Sequence, residues 1–585
     1  MSTVAFSRLD ALLLFGLGSL LSASASAQIV ETTITARPGV VTLAPGITAN
    51  AWLYNGTLPG PTLRVTEGQR LRVRFVNELP ESSILHVHGQ PVHQGMDGMA
   101  SISRPETAAG QEFLYDFSDL KPGTYWYHPH SEHHEQLDKG LYGPLIVEPA
   151  NTTGEPAFDY EQTIVLDEWT NPLGGTGFTG HLVNGNASAG AYTIPAVNGR
   201  RLRLRFANAS ARTSYVIALD GHLMEVTHAD GYRVRPVTTS ALVMGVGERY
   251  DVIVNCNNPG VWSLAVSTFQ ARSTTVVRGV VRYQGQSGPD PAASYVPPAL
   301  SSGTLLDYAQ LASDVPVTPI SASPARRYSG VLGMTMGPSG QLWTINGQAW
   351  PNVTPWQVSQ GEIVEITWTN TTMSPMHMHP MHLHGHSFRI VGTAGGTTAP
   401  PTKDVVLLRP AGQPGSTLTI QFTADNPGKW LAHCHDMMHM AQGMMTSIDY
   451  TGDADGDGLA DSADHDPTKA QPVLLVADDE AQFRIGQVGA LGFQWQPQSV
   501  ATLYVALSTL PAPVLLAPLG ELELDPLGMW AIASFGLGGA SLASLPYAIP
   551  ADPLLQNGRF VLQALATTTL PGSARFSNPQ AFTIR

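Results

Sequence analysis

The chain has 585 residues, enough for several domains, and its charged residues are few against 58 Gly and 45 Pro. The formal net charge of −15 argues against nucleic acid or an anionic membrane surface as partner. Helix-period stretches are scarce, which points to an all-β protein, and no internal stretch is long and apolar enough for a transmembrane helix.

Residues 1–27 read as a secretory signal peptide. Ala11 to Leu21 form a short apolar core, and Ala25-Ser26-Ala27 is a small-residue cleavage site before Gln28. The mature protein is therefore expected to be secreted, periplasmic or extracellular. Only two cysteines are present. Cys434 belongs to a metal motif described below, which leaves Cys256 as an expected small buried core residue and no intramolecular disulfide.

A strand pattern then recurs three times. Gly68–Asn77, Gly199–Asn208 and Gly361–Asn370 share one length, one alternation and a terminal Asn. Each follows an Asn-Gly turn (Asn55-Gly56, Asn184-Gly185, Asn346-Gly347), and each precedes a Pro-Gly step into an aromatic strand at Gly123, Gly260 and Gly428. Three copies of one β-sandwich unit are expected, over residues 28–150, 151–300 and 301–450.

Histidines fall at matched places in the first and third copies only. The first has His86-Val-His88 and His128-Pro-His130. The third has His379, His382 and His384 in one segment, then His433-Cys434-His435 with His439 and Met444 beyond. In the second copy the corresponding residues are Ala218 and Asp220, then Ala265 and Ser267. Histidines two apart on a strand share a face, and Cys434 leaves its strand on the face opposite His433 and His435. Cys434 with His439, Met444 and a further His matches the ligand types of a blue copper centre: two imidazoles, a thiolate and a weak axial thioether. The eight remaining histidines must converge where the first and third units meet, with the second as spacer. Eight neutral imidazoles suit a cluster of three coppers with open positions for oxygen species.

These four motifs, HxH, HxH, HPxHLH and HCHxxxHxxxxM in that order, resemble the multicopper oxidases of laccase-like type over roughly residues 40–450. The resemblance implies three consecutive cupredoxin-like Greek-key β-sandwiches and four coppers. His379, Cys434, His439 and Met444 would hold type 1 copper. His86 and His382 would hold type 2, and His88, His128, His130, His384, His433 and His435 the type 3 pair. It also implies that Asp97 acts in catalysis as a proton source, although Asp97-Gly98 reads equally as a turn. The donor would be a phenol or aromatic amine oxidised one electron at a time while dioxygen is reduced to water. A cuprous oxidase and a non-catalytic copper-binding protein are the alternatives. Nine methionines, among them Met334, Met376 and Met438, gather near the Cys434 motif, either as a soft docking surface for Cu(I) or as apolar filling.

After Tyr450 the character changes. Asp453, Asp455, Asp457, Asp461 and Asp464 occupy positions 1, 3, 5, 9 and 12 of a calcium-loop pattern with Gly at position 6, or form a plain acidic linker over residues 451–471. Residues 472–585 lack His and Cys and read as one further small β-sandwich, with a role in attachment to the cell surface or in oligomer packing.

Overall fold

The structure is a computed structural model. It describes residues 28–451 apart from 101, 132–133, 176, 338–339 and 375, and beyond them the backbone of strands between 473 and 583. The signal segment 1–27 and the aspartate loop from Asp453 to Asp464 lie outside the described residues.

Residues 29–450 form six sheets in three consecutive pairs, of four and four, six and five, and six and five strands. Each pair closes on one apolar core, built around Phe75 and Tyr115 in the first unit, Phe206 and Ile217 in the second, and Trp368 and Phe422 in the third. Sequence repetition becomes geometric repetition. The strands Arg70–Asn77, Arg201–Asn208 and Ile363–Asn370 each run parallel to the strand that opens their unit. Asn55, Asn184 and Asn346 take positive φ values of 52°, 47° and 55°, each before a positive-φ glycine, as a tight hairpin of this type requires. Each also bonds the facing strand with both ends of its amide, as Asn55 does to Thr35 N (2.7 Å) and Thr33 O (2.8 Å).

The terminal asparagines Asn77, Asn208 and Asn370 are buried and repeat a second pattern. Each side-chain NH2 donates to two carbonyls, and each side-chain oxygen accepts from the backbone N–H two residues on. Asn is chosen because its amide meets donors and acceptors together where a strand stops.

The segment after residue 300 packs back onto the middle unit. Leu306 and Leu311 enter its core, and the third unit's first strand is Arg326–Gly337. Cys256 is buried and free, with its sulfur 3.6 Å from Tyr160 OH. Among the described residues no helix is long and apolar enough to cross a membrane. Among the described residues from 473 onward, ten strands form three further sheets.

Candidate metal centres

The shared register of the units decides where the histidines go. In the first unit His86 faces His128 across an antiparallel pair, and in the third His382 faces His433. In the middle unit the same register brings Ala218 opposite Ala265. Four imidazoles of the first unit and four of the third meet across the interface of the two units. Ring centroids are 4.3 Å apart for His86–His384, 3.8 Å for His88–His382, 4.9 Å for His88–His435 and 5.0 Å for His130–His433. All eight are buried.

One nitrogen of most rings is committed to a protein acceptor. Nδ1 donates to Asp97 O from His86 (2.6 Å), to Pro129 O from His128 (3.0 Å), to Asp404 O from His382 (2.8 Å) and to Cys434 O from His433 (3.0 Å). His384 Nδ1 donates to Asp97 Oδ2 at 2.9 Å. The other nitrogen is then bare. His86 Nε2, His128 Nε2 and His382 Nε2 are buried without a hydrogen-bond partner among the described residues. His433 Nε2 lies 3.0 Å from His384 Nε2 and 3.3 Å from His130 Nε2. Inward lone pairs held this close are costly in an empty protein and suited to cations. Burial first, then the neighbouring imidazoles, push His88, His128, His130, His382 and His433 well below the ordinary histidine range, and His435 down to about 3. The rings are therefore neutral, the form that binds metal.

On the opposite face of the same strand Cys434 Sγ lies 3.7 Å from His379 Nδ1 and 3.6 Å from His439 Nδ1, and those two nitrogens are 3.2 Å apart. Asp436 makes this geometry. It caps the short helix Met437–Ala441, accepting from Met438 N (3.0 Å) and His439 N (3.2 Å), and the turn swings His439 back toward the sulfur. Met444 is fully buried in the same core as Cys434, whose N–H donates to Met444 O at 3.0 Å. Burial pushes the thiol well up and holds His379 near 3 and His439 near 2, so both imidazoles are neutral, the form that binds metal.

Asp97 is both a turn residue and a bridge. It ends a short turn after Gln94–Met96, and Gly98 follows at φ 72°, where a Cβ would lie 1.8 Å from Leu85 O. Its backbone holds His86 and its carboxylate holds His384, so it ties the two units together. Burial raises its carboxyl, but His384 and His86 outweigh this and hold it well below the usual range.

Asp404 and Trp343 were not signalled by any motif. Asp404 Oδ1 is 3.2 Å from His88 Nε2, and its carbonyl holds His382. Trp343 is buried against the His379 ring (5.4 Å) and the His439 ring (3.9 Å), and also meets half-exposed His377 at 4.8 Å. The methionines divide. Met378, Met381, Met437 and Met440 are core residues, whereas Met334, Met336, Met373, Met376 and Met438 are exposed. Met334 lies opposite Trp343 in strand register. His181, His222 and His386 are each satisfied by a tyrosine hydroxyl and join no cluster.

Family models described as multicopper oxidase match residues 35–152, 123–286 and 327–453. The chain is 33% identical to a multicopper oxidase of Mycobacterium tuberculosis, over 73% of this chain and 88% of the relative. It is 29% identical to a laccase of Trametes villosa, over 68% and 85%. Among solved structures it is similar to a laccase from Botrytis aclada, with TM-score 0.62, 25% identity, and 72% and 88% coverage. A similar fold, at 21% identity, TM-score 0.64, and 74% and 94% coverage, is that of Fet3p, described as a multicopper oxidase that functions in iron import.

Proposed function

The chain belongs to the multicopper oxidases, copper-dependent oxidoreductases that use dioxygen, and from that premise we propose that it is an exported laccase-like enzyme whose donors are phenols or aromatic amines. The observation that carries the reading is the double use of one strand: Cys434 faces one imidazole pair while its neighbours His433 and His435 face six other imidazoles. In this reading His379, Cys434, His439 and Met444 hold a type 1 copper, His86 and His382 a type 2 copper, and the six remaining histidines a type 3 pair. Bound copper would supply one-electron acceptance at the first centre and storage of several electrons for dioxygen at the second.

The protein's part is orientation, exclusion and proton handling. Carbonyls of Asp97, Pro129, Asp404 and Cys434 fix ring tautomers so that the bare nitrogen points inward. The covalent path from Cys434 to His433 and His435 joins the two centres. Asp97, reaching both His86 and His384, is the group proposed to move protons at its carboxylate oxygens. Trp343 covers the His379 and His439 rings, and half-exposed His377 beside it is the proposed resting place of a planar donor.

The exposed methionines support a second reading, a cuprous oxidase, because thioethers are soft ligands. Oxygen uptake by purified, copper-loaded protein separates the two. Oxidation of a dimethoxyphenol without added Cu2+ supports the first. Activity that needs excess Cu2+, and is lost in Met376→Ala with Met438→Ala, replaces it with the second. The export signal, a Ca2+ ion in the Asp453–Asp464 loop and an attachment role for residues 472–585 remain part of the proposal.

A further inference from the structure

The middle unit carries no histidine pair, yet its turn Gly245–Glu248 and strand Arg249–Asn255 reach the eight-histidine cluster. Gly247 sits at φ 84°, where a Cβ would be 2.9 Å from His88 Cε1 and 3.2 Å from His435 Cδ2. Arg249 is wholly buried, and all five of its N–H donors are used. Nε donates to Thr124 O (3.1 Å) on the first unit's strand that carries His128. Nη1 donates to Gly247 O (3.0 Å) and Asp404 Oδ1 (2.6 Å), and Nη2 to Asp230 O (3.0 Å) and Asp404 Oδ2 (2.5 Å). One guanidinium thus binds all three units. The Asp404 it grips touches His88 through its carboxylate and His382 through its carbonyl.

The grip is seated from the other side. Asp230 accepts from the backbone N–H of Arg249 (2.9 Å), Asp404 (3.2 Å) and Val405 (3.1 Å). Lys403 Nζ is 3.0 Å from both Asp230 and Glu248, and these three side chains are fully buried. Gly89, next to His88, leaves the room: a Cβ there would be 2.5 Å from Asp404 Oδ2 and 2.6 Å from Arg249 Nη2.

We propose that Arg249 is a positioning residue for the eight-histidine cluster: by holding Asp404 in a two-pronged pair it sets the rings of His88 and His382, one from each metal-bearing unit. The inference rests on the eight-histidine reading above. A planar fork can fix both carboxylate oxygens, and an ammonium cannot, so Arg249→Lys keeps the charge and loses the alignment.

The test compares full-length, copper-loaded wild type, Arg249→Lys and Arg249→Met. Copper per chain is measured during competition with a chelator. Electron paramagnetic resonance follows the Cys434 centre separately from the rest. The blue band is bleached anaerobically by a dimethoxyphenol and its return is timed after mixing with dioxygen. The expected result is an unchanged Cys434 signal and bleaching rate, with roughly tenfold or greater loss in copper retention at the eight histidines and in the rate of return, worse for Met than for Lys. Parallel loss at both centres, or wild-type retention in Arg249→Met, overturns the proposal. If Arg249→Met is not recovered folded, Arg249→Lys and the isosteric Asp404→Asn carry the same comparison. A wild-type chain that binds only the Cys434 copper overturns the eight-histidine reading itself, whatever the variants do.

Discussion

Cys434 is a single atom's difference from serine, and the difference decides what its strand can do. A thiolate binds copper strongly and absorbs light through that bond, and an alcohol does neither. Cys434→Ser is expected to abolish the blue band and nearly all oxidase activity while copper at the eight histidines remains, as absorption and metal analysis would reveal. A variant that stays blue would remove Cys434 from the site. Asp97→Asn keeps an oxygen for His384 Nδ1 but removes the negative charge shared with His86. Return of the blue band after mixing with dioxygen should slow about tenfold or more, with anaerobic bleaching unchanged. Equal return rates would leave Asp97 as a turn and nothing else. At this scale the side chains that gather into the two clusters were legible because metal binding demands particular residue types at particular spacings. Asp404 and Arg249 were not, since each acts through a partner remote in sequence, and neither has a spacing to betray it.

The repeated strands are legible for a different reason. An Asn-Gly turn requires positive φ twice, and only a few residues tolerate it, so Asn55, Asn184 and Asn346 mark hairpins by steric necessity. The closing asparagines are visible as a repeated letter, but their work appears only in three dimensions. Asn208 makes four bonds, to Thr213 O, Met244 O, Ser210 N and Ser210 Oγ. Asn208→Ala strands those groups in the core of the unit without copper motifs. It should lower stability by about 3 kcal/mol, read from denaturant midpoints, with an unaltered blue spectrum. A shift below about 0.5 kcal/mol would mean that water replaces the amide. What repetition cannot disclose is pairing across units. The segment after residue 300 belongs by sequence order to the third unit, yet its apolar Leu306 and Leu311 are satisfied in the middle core.

Across the whole molecule, every group assigned to the two centres lies between residues 86 and 444, and the third unit's last strand ends at Tyr450. Tyr450 is itself needed, since its hydroxyl meets His386 Nε2 at 2.7 Å and Asn426 N at 3.2 Å. A chain stopped after Thr451 is therefore expected to keep its full copper complement and its rate with a dimethoxyphenol within about twofold. Loss of copper on that truncation would show that the later strands support the oxidase.

The equal division of eight imidazoles between the first and third units also couples metal binding to the assembly of the chain. Neither unit alone owns more than half of the cluster, and the middle unit's Arg249 bonds both Thr124 of the first unit and Asp404 of the third, beside His88 and His382. A ribosome-fresh or partly assembled chain can offer passing copper no finished nest at this interface. Metal binding and docking of the units are therefore linked, and whatever tightens one strengthens the other.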